Sequence, residues 1–201
     1  MATRSGTSGE DTISGGPSAD QLYGRAGNDR LSGFDGRDFL WGGSGNDNLS
    51  GGLGNDWLFG GNGNDFLLGE EGNNVLWGGR GDDRLVSSRE GLGDDTLIGG
   101  SGKDTFIVDL EFGAQGNDVI LDFRRGHDQI NIESLGEGEP GMLDSFADLD
   151  TNHDGRLDRR DDTVTVGRGG FTIDFTSFTP NGGTLTLKGI KALYDSDFFI
   201  T

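Results

Sequence analysis

The chain has 201 residues, 40 of them glycine and only 3 proline, and its 35 acidic against 16 basic side chains give a net charge of −19. That balance excludes nucleic acid and anionic membrane as partners and favours cations. With no cysteine, disulfides and thiolate metal sites are ruled out and oxygen is the ligand in supply.

A nonapeptide governs the first half. Residues 42–68, GGSGNDNLSGGLGNDWLFGGNGNDFLL, repeat Gly-Gly-x-Gly-Asn-Asp followed by a triplet with a large apolar centre. In the same register units begin at Gly6, Gly15, Gly24, Gly33, Gly42, Gly51, Gly60, Gly69 and Gly78; Ser87 to Arg89 interrupt the period, and units resume at Glu90 and Gly99. The sixth position reads Asp11, Asp20, Asp29, Asp38, Asp47, Asp56, Asp65, Asn74, Asp83, Asp95 and Asp104. The eighth reads Ile13, Leu22, Leu31, Leu40, Leu49, Leu58, Leu67, Leu76, Leu85, Leu97 and Phe106.

A triplet with an apolar centre is a minimal strand, its middle side chain inward and its neighbours outward. The six residues before it read as a turn, where glycine supplies backbone conformations closed to other residues. Two turns and two strands make an 18-residue coil, and stacked coils pair their strands about 4.8 Å apart. Stacking also lines the sixth-position aspartates along each edge, where like charges repel. A divalent cation between successive turns removes that repulsion, with glycine carbonyls completing an oxygen shell at about 2.3–2.6 Å.

These columns resemble the RTX family of secreted bacterial proteins, whose GGxGxDxUx repeat builds a calcium-loaded parallel β-roll. The resemblance covers residues 6–107. It implies an all-β fold, a parallel β-roll (β-solenoid) with a C-terminal β-rich cap over residues 108–201. It further implies that each Ca²⁺ bridges turns two repeats apart through both sixth-position aspartates and backbone carbonyls. On this chain one edge then links Asp11, Asp29, Asp47, Asp65 and Asp83, and the other links Asp20, Asp38 and Asp56; Asp95 and Asp104 belong to the last units. About eight ions are expected in the roll. Asn74 keeps an oxygen ligand without charge, so sites touching it should be weaker. The units at Gly15, Gly24, Gly33 and Gly69 lack one motif glycine or more.

Positions seven and nine point outward, and alternate units share a sheet. One sheet then carries Gln21/Tyr23, Phe39/Trp41, Trp57/Phe59 and Val75/Trp77, whereas the other begins with Thr12/Ser14, Arg30/Ser32 and Asn48/Ser50. Tyr23, Phe39, Trp41, Trp57, Phe59 and Trp77 form a candidate partner face. It is expected to be covered by the chain's own C-terminal half or a second copy, or to bind a glycan or protein partner.

After the repeats, GNDVILDFRRGHDQINI alternates like two strands around the turn RRGHD. It resembles the segment closing the last coil of RTX proteins, including the C-terminal domains of serralysin-type proteases. A polar loop, GEGEPG, and a short helix over MLDSFADL lead into DTNHDGRLDRRD, which matches the EF-hand loop pattern. Asp150, Asn152 and Asp154 would supply side-chain ligands, Arg156 its carbonyl, and Asp158 a direct or water-mediated contact. Asp161 stands where a bidentate glutamate is usual and reaches less far; this EF-hand-like loop, residues 150–161, is expected to hold one more Ca²⁺. With no second such loop, a calmodulin-like switch is not expected. The tail reads as two or three strands and ends Asp197, Phe198, Phe199, Ile200. This ending resembles the uncleaved signal read by type I secretion machinery, and it also reads as an ordinary final strand.

No catalytic constellation is apparent. His127 and His153 lie in expected loops, there is no HExxH or G-x-S-x-G, and GGSGKD around Lys103 departs from a phosphate loop at Asp104. The opening MATRSGTSGE lacks the apolar stretch of a signal peptide, and no apolar run approaches the roughly 20 residues that span a bilayer. The expected function is a secreted, bacterial, non-catalytic calcium-binding module that folds on Ca²⁺ outside the cell. The alternatives are a polysaccharide-binding accessory module, like those of alginate epimerases, and the C-terminal secretion and folding domain of a larger protease or lipase.

Overall fold

The structure, a computed structural model, describes residues 1–87, 93–109, 116–133, 156–157, 164–167, 170–174, 183–190 and 192–200. In the repeats the chain alternates short corners with strands: β1 (Thr3–Ser5), β2 (Thr12–Gly16), β3 (Gln21–Ala26), β4 (Arg30–Asp35), β5 (Phe39–Ser44), β6 (Asn48–Leu53), β7 (Trp57–Asn62), β8 (Phe66–Glu71), β9 (Val75–Arg80), β10 (Arg84–Val86), β11 (Thr96–Ser101) and β12 (Thr105–Asp109). Odd-numbered strands of this set lie in one sheet and even-numbered strands in the other, all paired in parallel. The roll is thus built of two-strand coils, as the repeat implies.

Strand length corrects one expectation. Most strands run six residues, through the apolar triplet and on into the motif glycines, so the corner is shorter than six residues. The glycines pair as strand residues do: Phe39↔Trp57, Leu40↔Leu58 and Trp41↔Phe59 are continued by Gly43↔Gly61 and Ser44↔Asn62. Without side chains these positions let one coil lie directly on the next. A Cβ on Gly45, whose φ is 122°, would collide with the backbone carbonyl of Gly27 in the preceding coil. Arg25, Phe34 and Glu70 replace the second glycine yet keep positive φ values of 83°, 75° and 66°. The coil thus imposes a left-handed backbone on residues that resist it, by roughly 1–2 kcal/mol each.

The core between the sheets is a column of eighth-position side chains. Leu22, Leu40, Leu58, Leu67, Leu76 and Leu85 are completely buried, and Phe106 nearly so. The interruption at Ser87 does not break the ladder: the coil step lengthens from 18 to 21 residues, and Val75 pairs with Thr96. Residues 88–92, which include the last two inserted residues, lie outside the described residues.

Stacking does not stop where the repeats do. β13 (Asn117–Ile120) and β14 (Gln129–Glu133) are the two strands read from GNDVILDFRRGHDQINI, but they belong to opposite sheets. β13 pairs in parallel with β11 and β14 in parallel with β12. RRGHD is therefore the corner of a further coil. Beyond it come β15 (Arg156–Leu157), β16 (Val164–Gly167), β17 (Gly170–Asp174), β18 (Thr184–Leu187), β19 (Leu193–Tyr194), a 3₁₀ turn at Asp195–Asp197 and β20 (Phe198–Ile200). The tail thus holds more strands than two or three. β18 extends one sheet in parallel and β17 and β16 continue it antiparallel; β20 extends the other sheet on β14. Neither sheet breaks at residue 107, where the composition shifts.

The helix expected at 142–149 and the EF-hand-like ligands Asp150, Asn152, Asp154, Asp158 and Asp161 lie outside the described residues. Of that loop only the backbone of Arg156 and Leu157 is described, paired antiparallel with Tyr194 and Leu193. Among the described residues no helix is long and apolar enough to cross a membrane.

Candidate metal centre

Each sixth-position carboxylate is fixed by the coil before it. The backbone N–H of Asp20 donates to Asp38 Oδ1 at 2.6 Å, that of Asp29 to Asp47 at 2.7 Å, and that of Asp47 to Asp65 at 2.8 Å. The same bond links Asp11 to Asp29, Asp38 to Asp56, Asp65 to Asp83 and Asp83 to Asp104. One oxygen of each accepting carboxylate is therefore engaged, and in most of them the other is left over. Oδ2 of Asp29, Asp38, Asp47, Asp56, Asp65, Asp83 and Asp95 is buried with no hydrogen-bond partner among the described residues.

These oxygens face a space kept open by glycine. A Cβ on Gly42 would lie 2.7 Å from the carbonyl oxygen of Gly60, one coil on, and closer still to Asp47 Oδ2. The same holds at Gly60, whose missing Cβ leaves room between Asp65 Oδ2 and the Gly78 carbonyl. Among the described residues no group of three carboxylate, imidazole or thiolate side chains could hold a metal ion by itself. A cation here would take its remaining ligands from carbonyls. An all-oxygen, anionic cavity with flexible backbone donors suits Ca²⁺ better than a metal preferring nitrogen or sulfur.

Burial makes these acids costly to ionise. It pushes Asp47 and Asp56 up to about 6, Asp65 and Asp83 to about 7, and Asp95 to about 8. The backbone N–H bond from the previous coil opposes the rise, and the neighbouring acid adds to it. Without a cation, Asp65, Asp83 and Asp95 are therefore partly protonated near neutral pH, whereas Asp47 and Asp56 take up their protons below it.

The family model described as RTX calcium-binding nonapeptide repeat (4 copies) matches residues 5–40, 32–67, 59–89 and 91–110. The chain belongs to the RTX calcium-binding repeat family. Among solved structures it is similar to the extracellular lipase LipA from Serratia marcescens, at 18% identity and TM-score 0.36, over 98% of this chain and 39% of the lipase chain. It is also similar to the AlgE6R3 subunit of the Azotobacter vinelandii mannuronan C5-epimerase, at 19% identity and TM-score 0.28, over 96% of this chain and 79% of that chain. No curated protein matches the sequence.

The RTX ladder extends past the residues that the motif picks out. Asp95 N–H donates to Asp118 Oδ1 at 3.0 Å and Asp104 N–H to Asp128 Oδ1 at 3.2 Å, so Asp118 and Asp128 occupy sixth positions. Their signal in the sequence is Gly-x-Asp-x-Ile, at Gly116 and Gly126, without the paired glycines that open a full unit and at coil steps of 23 and 24 residues. A second ladder runs the other way through the fifth position. Asn46 N–H donates to Asn28 Oδ1, Asn64 to Asn46 and Asp82 to Asn64, at 2.8–2.9 Å. It explains the Asn of the Gly-Asn-Asp motif as a staple between coils.

Not every expected ligand is alike. Asp11, at the start of its edge, has Oδ2 engaged by the N–H and hydroxyl of Thr7, which hold its carboxyl below the usual range. Asp20 accepts from the N–H of Ala2 and lies 4.0 Å from the terminal ammonium. At Asn74 an amide nitrogen stands in the place of the free oxygen, and at Asp104 that oxygen accepts a hydrogen bond from Arg124.

The aromatic residues do share one face. Tyr23, Trp41, Phe59 and Trp77 pair in one cross-strand row, and Phe39 and Trp57 in the next. The rings meet each other: Trp41 stacks on Phe59 at 5.5 Å, and Phe59 lies 5.1 Å from Phe39 and 6.1 Å from Trp77. Trp41, Trp57 and Trp77 remain 43%, 43% and 46% exposed, so no described part of the chain covers them. A groove of about 700 Å³ runs along Trp41, Phe59 and Trp77, with Arg25 and Arg80 in its walls.

Proposed function

We propose that this chain is a secreted, non-catalytic calcium-binding module whose roll folds as it takes up Ca²⁺ outside the cell. One observation carries the proposal: a row of buried carboxylate oxygens without partners among the described residues, those of Asp29, Asp38, Asp47, Asp56 and Asp65 each facing a carbonyl across a glycine-cleared gap. An unsatisfied buried polar group costs roughly 1–3 kcal/mol, more when charged. The orphaned set therefore amounts to about the whole 5–15 kcal/mol net stability of a typical domain. Calcium, bound by the folded state alone, removes that cost and stabilises the fold by mass action. About eight ions are proposed for the roll and one more for the loop at Asp150–Asp161. The buried acids are committed to the ladder, which supports a structural role for them over acid–base catalysis.

Far-ultraviolet circular dichroism tests the folding claim. The chain should be largely disordered in excess chelator at pH 7 and gain β-structure at millimolar Ca²⁺; native signal in chelator would refute it. For the loop, Asp150→Ala with Asp154→Ala should remove one Ca²⁺ while leaving the roll folded. Loss of the roll ions in that variant would mean that the two regions fold as one unit.

Export by type I machinery is part of the proposal. Asp197 is buried, accepting hydrogen bonds from the N–H groups of Tyr194 and Gly126, and Phe198 pairs with Ile130 in the last strand. An exporter reading this segment would need it before the strand docks, which suits a calcium-poor interior. A second reading, a glycan-binding accessory module, is favoured by the exposed groove, where Arg25 and Arg80 give a local positive pair in an acidic chain. Affinity electrophoresis in neutral and acidic polysaccharides, with Trp77→Ser as control, would decide it.

A further inference from the structure

Two turns show what the space between coils accepts when nitrogen reaches it. In the turn ending at Asn74, Oδ1 accepts the N–H of Asp56 at 2.9 Å, as the aspartates do elsewhere. That bond fixes the amide orientation and aims Nδ2 where the other turns have Oδ2. Nδ2 donates to the carbonyls of Gly72 at 3.0 Å and Glu70 at 3.3 Å. It also stands beside the space left by Gly69. In the turn ending at Asp104 the nitrogen comes from another coil. Arg124 Nη2 donates to the Gly102 carbonyl, to Asp104 Oδ2 at 3.3 Å and to Asp128 Oδ1 at 3.0 Å. The Arg124 backbone N–H and Nε add bonds to Asp128 Oδ2. Gly72 and Gly102 hold the same motif position, so two unrelated nitrogens have found the same oxygen cage.

We infer that the chain itself occupies these two cation positions, Arg124 with a permanent positive charge and Asn74 with a neutral amide, and that neither takes up Ca²⁺. The inference rests on the calcium-module proposal and adds to it a division of the array. The Asp29, Asp47, Asp65 and Asp83 oxygens on one edge are open to metal, and Arg124 closes that edge. On the other edge Asp38 and Asp56 are separated from Asp95 by the amide of Asn74. The guanidinium satisfies the between-coil charge as a cation would, and its fork supplies the directional bonds that a metal would otherwise accept from the carboxylates. The amide removes the negative charge and supplies two donors to carbonyls that would otherwise face a metal.

Equilibrium dialysis against saturating Ca²⁺, with metal counted by atomic emission and folding followed by circular dichroism, tests this. Asn74→Asp restores a free Oδ2 and should bind one more Ca²⁺ than the wild type. Arg124→Gln frees Asp104 Oδ2 and should also add one, and the double variant two. Arg124→Lys keeps a cation in place and should add none. An unchanged or lower count in folded Arg124→Gln would overturn the assignment for Arg124, and an unchanged count in Asn74→Asp would overturn it for Asn74. If Arg124→Gln does not fold even in Ca²⁺, Asn74→Asp decides whether nitrogen and metal share the cage. Wild-type protein that binds no Ca²⁺ would sink the module proposal itself, so the two failures are distinguishable.

Discussion

At the scale of single residues, glycine has two separate roles in the repeat. The second-position glycines relieve backbone strain, and Arg25, Phe34 and Glu70 show that the fold can bear that strain. The first-position glycines from Gly24 to Gly60 keep the metal gap open, and a Cβ there would meet both an aspartate oxygen and a carbonyl. Gly60→Ala would place a methyl 2.6 Å from the Gly78 carbonyl and closer still to Asp65 Oδ2. It should remove one Ca²⁺ and raise the calcium midpoint of folding several-fold. Gly16→Ala, whose Cβ would come no nearer than 3.7 Å to Asp20 Oδ2, should leave that midpoint almost unchanged. Equal effects of the two would mean that glycine acts only through chain entropy. The carboxylates give a pH prediction of definite sign. Their folded pKa values lie above the usual carboxylate value, at about 6 to 8, so the metal-free fold binds more protons than the unfolded chain. Linkage then makes the metal-free roll less stable as pH rises through about 4 to 8, with the penalty absent below that window and complete above it. In chelator, β-structure should therefore increase on acidification from pH 8 to 5. Asp95→Asn removes the highest of these values and should flatten the upper end of the profile; an unaltered profile would show that overall charge, not these sites, drives it.

At the scale of elements, each unit was legible to the extent that its side chains recur. The leucine column and the aspartate column fix strand centres and edges because both keep their places in every coil. Strand length was not legible, since glycine reads as turn in sequence yet pairs as strand when a second glycine lies opposite. Arg124 was not legible either, because only the folded coil shows that RRGHD brings a guanidinium to Asp104 from twenty residues away. The aromatic face was legible as a face but not as a contact network. Its rings shield one another across strands, which lowers the need for a cover that their number alone suggests. Phe59 is the hub, touching Phe39, Trp41, Trp57 and Trp77, whereas among the described residues Trp57 has a ring contact with Phe59 alone. At about 0.5–1.5 kcal/mol per aromatic pair, Phe59→Ala should lower the urea midpoint in Ca²⁺ clearly more than Trp57→Ala. The reverse order would mean that the row is held by something outside it.

At the scale of the whole molecule, the composition shift at Ile107 invites a cut that the sheets do not. Removing residues after Ile107 would strip β13 from β11 and β14 from β12, leaving both sheets with an unpaired parallel edge. It would also take away Phe123, whose ring lies 6.1 Å from that of Phe106 at the end of the core column. Arg124 would go too, leaving the Asp104 oxygen without its cation. Exposed apolar edges of this kind recruit other chains. The truncated chain should therefore aggregate or fold poorly in millimolar Ca²⁺, as read by size-exclusion chromatography and circular dichroism. Supplying Ca²⁺ in excess should not rescue it, because the loss is of strand partners and apolar cover. Tryptophan emission is the control: Trp41, Trp57 and Trp77 are already 43%, 43% and 46% exposed, so whatever soluble fraction folds should emit as the full chain does. A monomeric truncated chain with the full calcium-induced β-signal would show that the repeats close their own ends and that the strands after Ile107 are an independent unit.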